Sequence, residues 1–262
     1  MSLRALLFDV DGTVADTERY GHRPAYNSAF RKLGLTWRWG PRLYRKLLAL
    51  PGGKERLRYF VDQHHPDLAH HTAAYANDPD LWVAQVHDLK SRYFQRYLRK
   101  GRIPLRPGVA RLIREADAAG LHVALVSNAS RASLRPVLRY GLGRELATRI
   151  DLVVSGEDVT RKKPAPDSYL LALSRLGLAA NECVALEDSS MGLRAAVAAG
   201  VPTIVTTNAN TEGEDFSSAC VVLDGCGEPD QPVTHARGPA LGPYLTLEQL
   251  RAVQRFAHVP TC

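Results

Sequence analysis

The chain opens on an apolar run, Leu3 to Phe8 broken only by Arg4, and the run ends on Asp9, Asp11 and Gly12. A short apolar stretch closed by a turn reads as a strand buried on both faces. From Asp16 the spacing changes. Asp16 or Thr17 caps a helix that carries Tyr20, Ala25 and Phe30 to Gly34. Leu43, Leu47 and Leu48, then Leu57, Phe60 and Val61, and then Trp82, Val86, Leu89, Tyr93 and Tyr97 recur at helical intervals with no strand-like alternation among them. Residues 16–103 therefore read as an all-helical insert whose aromatics are packing.

After Leu105-Arg106-Pro107-Gly108 strands and helices alternate. Short apolar strands are expected at His122–Val126, Leu152–Val154, Val184–Leu186, Thr203–Val205 and Val221–Leu223. Helices are expected from Val109 to Gly120, through Leu134 and Leu138, over Tyr169–Leu176 and over Gly192–Ala199. Such alternation with short links implies an α/β fold, a doubly wound and mainly parallel sheet with helices on both faces. Residues 1–15 and 104–225 form its core. Residues 226–262, rich in Pro and Gly, read as an extension that wanders and ends in a helix over Thr246–Phe256, with no chemistry assigned.

Composition narrows the class without choosing the chemistry. At 262 residues, 45% hydrophobic and 23% charged, the chain is an ordinary soluble globular protein with ample core. It has no run of 18 apolar residues and no secretory pattern at its start, so a cytoplasmic protein without a membrane partner is expected. Cys183, Cys220, Cys226 and Cys262 lack zinc-site spacing and read as incidental thiols in a reducing compartment. The net charge is +7, but the basic residues are spread along the chain and not interleaved with aromatics. Nucleic acid is therefore not expected as a partner, whereas a small acidic substrate profits from a positive field.

In a doubly wound sheet ligands bind at the carboxyl ends of the strands. The residues there are Asp9 and Asp11, Ser127 and Asn128, and Glu187 and Asp188, with Lys162-Lys163-Pro164 leading into a helix. Each has a plain structural reading alone: an Asp-Gly turn, a loop start, a solvated turn, a helix N-cap. Together they make a convergent set. Asp9 and Asp11 supply a nucleophile and a general acid and base. Clustered carboxylates need a cation, and Mg²⁺, a hard ion that shares its sphere with phosphate, suits them. Ser127 and Lys163 would hold phosphoryl oxygens. In the insert, Pro51-Gly52-Gly53-Lys54-Glu55-Arg56 offers either an anion-binding loop or an ordinary helix start, and both readings stay open.

Phe8-Asp-Val-Asp-Gly-Thr-Val, Val126-Ser-Asn, Lys163-Pro-Ala-Pro-Asp and Leu186-Glu-Asp-Ser-Ser-Met-Gly resemble the four motifs of the haloacid dehalogenase superfamily of phosphotransferases. The resemblance covers Leu3 to about Leu223, with residues 16–103 where that family carries its cap. It implies that Asp9 becomes an aspartyl phosphate and that Asp11 protonates the leaving group and then activates water. It also implies that Asp9, the Asp11 carbonyl and Asp188 bind Mg²⁺, with Glu187 assisting. Gly52 to Leu57, Asp16-Thr-Glu, Arg23 to Phe30 and Trp37-Arg-Trp are similar to the CbbY-type branch, sugar-bisphosphate phosphatases linked to carbon fixation and to xylulose-1,5-bisphosphate, an inhibitor of Rubisco. That likeness implies a small-molecule sugar phosphate as partner, a monomer, and a substrate site of Glu18, His22, Gly53, Lys54, Arg56 and Asn128. Lys54 and Arg56 would grip the distal phosphate, and Glu18 and His22 the sugar. Two departures from the branch stand out. One additional residue separates Glu18 from His22, and Ser127-Asn-Ala-Ser stands where several relatives have a threonine run. Open alternatives are an enzyme like β-phosphoglucomutase or phosphoglycolate phosphatase, and a non-catalytic sugar-phosphate sensor.

Overall fold

A computed structural model describes residues 2–50, 52–239 and 241–256. Pro51, at the head of the glycine pair, and the Cys262 thiol lie outside the described residues. The chain separates into two compact units, Met1–Asp16 with Leu105–Cys262, and Thr17–Pro104.

In chain order the first unit opens with β1 (Ala5–Phe8). The second unit then contributes α1 (Arg23–Lys32), α2 (Pro41–Leu48), α3 (Gly53–His64), α4 (Thr72–Asn77) and α5 (Pro79–Arg99). Proline stands in the first turn of α2 and α5, where its missing N–H costs nothing, and Asp78 caps α5 by accepting from the Leu81 N–H at 2.9 Å. A π-helical turn, Glu18–His22, leads into α1, with the Arg23 N–H donating to the Glu18 carbonyl five residues back. A π-turn takes up one surplus residue inside a helix. Glu18 and His22 both lie within this turn, and α1 runs on behind it. The core of this unit is aromatic: Tyr26, Phe30, Trp37, Trp39, Tyr44, Phe60 and Trp82 are buried together, with Tyr26 and Trp39 ring centroids 4.5 Å apart.

The first unit resumes with α6 (Val109–Ala118), β2 (His122–Val126), α7 (Arg131–Pro136), α8 (Gly143–Ala147), β3 (Leu152–Val154), α9 (Asp167–Leu176), β4 (Cys183–Glu187), α10 (Ser190–Ala198), β5 (Thr203–Thr206), β6 (Val221–Leu223), β7 (His235–Arg237) and α11 (Leu247–Phe256). The strands form one sheet in the order β3-β2-β1-β4-β5-β6-β7, parallel except for β7. Strand β1 lies inside the sheet between β2 and β4, and all four of its residues are fully buried. That is why its sequence is continuously apolar.

Among the described residues beyond 225 the chain does not wander. Strand β7 adds an antiparallel edge to β6, and Leu250 and Val253 of α11 are buried. The guanidinium of Arg111, on α6, ties the segment down by donating to the Gly227 and Leu245 carbonyls and to Glu228. His235-Ala-Arg237 has no apolar alternation to announce a strand, because an edge strand with exposed side chains needs none. Among the described residues no helix is long and apolar enough to cross a membrane.

Candidate active site

The sheet register assembles the site. Phe8 pairs with Leu125 on one side and Leu186 on the other, so Asp9, Val126 and Glu187 fall on the next rung. The Lys163 ammonium bonds to all three: to Asp9 Oδ1 at 2.8 Å, to the Val126 carbonyl at 2.7 Å and to Glu187 Oε1 at 2.6 Å. Period-2 alternation carries Asp9 and Glu187 to the face that also buries Leu7 and Ala185. The Tyr169 hydroxyl, also buried there, donates to Glu187 Oε1 at 2.5 Å.

Charge and burial act on each other here. Burial alone would lower the Lys163 pKa, but the Asp9 and Glu187 carboxylates outweigh it and hold it above the ordinary lysine value. Burial lifts the Asp9 carboxyl to about 7, with Lys163 pulling it down and Glu187 and Asp11 pushing it up. Burial and the charges of Asp9 and Glu187 likewise raise Asp188 well above the carboxylate range. Asp9, Glu187 and Asp188 bring ligand oxygens within 4.8 Å of one another, the one such buried group among the described residues. When ionised, these three carboxylates outnumber the Lys163 ammonium bonded to Asp9 and Glu187, so the cluster carries a negative surplus. Hard oxygen donors with that surplus fit a divalent cation such as Mg²⁺.

Asp11 lies on the loop after β1, near enough for its charge to raise the Asp9 carboxyl. Gly12 adopts φ +95°, and its N–H donates to the Ala15 carbonyl at 2.9 Å. A Cβ on Gly12 would lie 2.1 Å from Asp188 Oδ2, so only glycine lets this loop pass the acid. Ser127 is buried with its Oγ accepting from the Ala129 N–H at 3.0 Å. Asn128 grips the backbone of Lys163 from both sides, donating to its carbonyl at 3.1 Å and accepting from its N–H at 2.9 Å. Glu187 Oε2 packs against Gly192, where a Cβ would stand 1.9 Å away.

The helical unit groups the residues expected to select substrate. The Tyr44 hydroxyl donates to Glu18 Oε2 at 2.5 Å and accepts from Arg56 Nη1 at 3.3 Å. Arg56 is buried and also donates to the Leu47 and Leu50 carbonyls. Gly53 opens α3, with its carbonyl accepting from Tyr26, and Lys54 beside it is exposed. The glycine pair thus sits at a helix start, with Gly52 at the N-cap. His22 is buried, stacks on Phe94 and accepts from the Lys90 ammonium at Nδ1, 2.8 Å away.

The sequence matches the haloacid dehalogenase-like hydrolase family over residues 3–200. The chain belongs to this family. It is 41% identical to the plasmid-borne protein CbbY of Cupriavidus necator over 95% of this chain and 96% of that one. The crystal structure of CbbY from Rhodobacter sphaeroides in complex with phosphate superposes with a TM-score of 0.75 at 39% identity, over 85% of this chain and 94% of that one. An aspartate-to-asparagine variant of the same CbbY, in complex with xylulose-1,5-bisphosphate, matches equally well. This haloacid dehalogenase-like hydrolase is an enzyme, a phosphoric monoester hydrolase.

Three polar residues of the hydrolase site stand outside the motifs. Tyr169 bonds to Glu187, Asn208 to Asp188, and Arg106 to the Gly12 carbonyl. Arg106 and Asn208 lie far from those partners in sequence, so spacing gives no hint of them. Tyr169 left a trace as a hydroxyl at a core position of a predicted helix.

Proposed function

We propose that this enzyme hydrolyses a sugar bisphosphate, with xylulose-1,5-bisphosphate as the first substrate to test. One observation carries the chemistry: a buried ammonium, Lys163, bonded to a strand-end carboxylate, Asp9, inside an acidic cluster. The likeness to CbbY proteins supports the substrate class.

Asp9 attacks phosphorus, a bond forms from its carboxylate oxygen, and the P–O bond to the sugar breaks. Asp11 gives its proton to the departing sugar oxygen, then takes one from water as that water attacks the aspartyl phosphate. Inorganic phosphate leaves and Asp9 is restored. Lys163 favours the ionised form of Asp9 against its buried setting and, with Ser127, holds phosphoryl oxygens. Asn128 fixes the backbone of Lys163, and Glu187, bonded to Tyr169, fixes its ammonium. Mg²⁺ held by Asp9, the Asp11 carbonyl and Asp188, with Glu187 assisting, would neutralise charge on the phosphoryl group. Lys54 takes the distal phosphate, Arg56 and Gly53 shape the loop that presents it, and Glu18 and His22 meet the sugar.

Phosphate release from a panel of sugar mono- and bisphosphates, with and without Mg²⁺, tests the reading. Mg²⁺-dependent release fastest from a bisphosphate is expected. Isomer formation without phosphate release would instead mean a phosphoglucomutase-like enzyme.

A further inference from the structure

Asn208 follows β5, and every polar atom of its side chain is used. Its NH₂ group donates to Asp188 Oδ2 at 2.6 Å and to the Gly12 carbonyl at 3.3 Å. Its Oδ1 accepts from the Asn210 N–H at 2.8 Å. That last bond fixes the amide orientation, because only the oxygen end can face a backbone donor. The backbone is fixed as well: Asn208 N–H donates to Thr211 Oγ1, and its carbonyl accepts from the N–H groups of Thr211 and Glu212. Behind it, Arg106 donates to the same Gly12 carbonyl at 2.7 Å and spends its other donors on Thr206, Thr207 and the Asp224 carbonyl.

We propose that Asn208 is a positioning residue for the cation site: one rigid NH₂ group that sets the separation of the two ligand-bearing loops, Asp9–Gly12 after β1 and Asp188 after β4. The inference rests on the metal reading above. Asp188 is buried beside two other carboxylates, whose repulsion would turn it away from the cluster. A neutral donor holds Oδ2 without adding a charge to desolvate, and leaves Oδ1 for the cation. The close fit supports this assignment. A Cβ on Gly12 would stand 2.9 Å from Asn208 Nδ2, so glycine, amide and carboxylate fill one another's space.

The test uses the full chain and Mn²⁺ alone as probe, titrated by the electron paramagnetic resonance signal of the free ion. Asn208→Ala is expected to weaken Mn²⁺ binding by roughly 10-fold, within the range for loss of a group that orients a metal ligand. The Mg²⁺ concentration for half-maximal phosphate release should rise by the same factor. Asn208→Ser reads the same quantity if the alanine variant does not fold. A purely structural amide would lower the melting temperature and leave the Mn²⁺ Kd where it was. Parent and variants binding Mn²⁺ with equal Kd therefore overturns the inference while the metal reading stands. A parent that binds no Mn²⁺ and needs no Mg²⁺ overturns both.

Discussion

The strand-end site and the glycine loop of the helical unit both gather ionised side chains, and they do so in opposite ways. At the strand ends charges of both signs meet on one rung, each bonded to the next, with Lys163 between Asp9 and Glu187. Around Gly53 three cations, Lys54, Arg56 and Lys90, outnumber two carboxylates, Glu18 and Glu55. Burial pushes the His87 imidazole down to about 3, with Lys90, His22, Lys54 and Arg56 all adding to the effect. Glu18, reached from Arg56 through the Tyr44 hydroxyl, and Glu55, lying against Gly52, are the counterweights. Charges of both signs fixed on a rigid sheet suit bond making and breaking, because they need no rearrangement as charge moves. A positive excess on a helical loop suits capture of an anion. Chemistry and choice of ester are assigned to different kinds of structure.

Variants can pull these roles apart. Asp9→Asn should lower turnover of every phosphate ester by more than about 10⁴-fold, as removal of a nucleophile does. Phosphate release together with a melting curve checks that the protein remains folded. Lys163→Met should cost roughly 10²- to 10³-fold in kcat on every ester. It should also destabilise the fold by about 3–5 kcal/mol in chemical denaturation, since two buried carboxylates lose their partner.

Lys54→Ala should lower kcat/KM for a bisphosphate by roughly 10- to 100-fold and leave a small monophosphate ester untouched. Equal losses on both esters would dissolve the contrast between the regions. Arg56→Ala should behave differently from its neighbour. Its guanidinium is buried on backbone carbonyls, so stability falls by about 1–3 kcal/mol alongside any loss on the bisphosphate. Gly192→Ala sharpens the other side. Its methyl would displace Glu187 and cost about 1–3 kcal/mol, and kcat should fall on all esters alike.

Much of the first region is legible in the sequence, because a parallel sheet turns order along the chain into position. A buried strand must be continuously apolar, so β1, β2 and β4 announce themselves, and the next residues fall at the same edge. Lys163 is legible only as a strand-end candidate; that it touches Asp9 and Glu187 follows from the turn before α9 and from Asn128. Arg106 and Asn208 are silent because their partners are backbone atoms and side chains distant in sequence. The helical unit is harder to read. Helical spacing gives α2, α3 and α5, but which side chains meet around Gly53 depends on how the helices pack. Arg56 shows the difficulty: by sequence it is an exposed cation beside Lys54, yet the aromatic core of its unit draws it inward. Strand β7 leaves no apolar trace because Ala236 and Arg237 are exposed and only His235 turns partly inward.

The division of labour stands or falls on where the phosphoryl group goes. Mixing the enzyme with a sugar bisphosphate, quenching in acid within one turnover and mapping peptides by mass spectrometry locates it. A phosphoryl group on Asp9, present in the quenched parent and missing from Asp9→Asn, is the expected result. Full-rate phosphate release with no phosphorylated aspartate at any time, or with the label on another residue, would contradict the role given to Asp9 and the rung built around it.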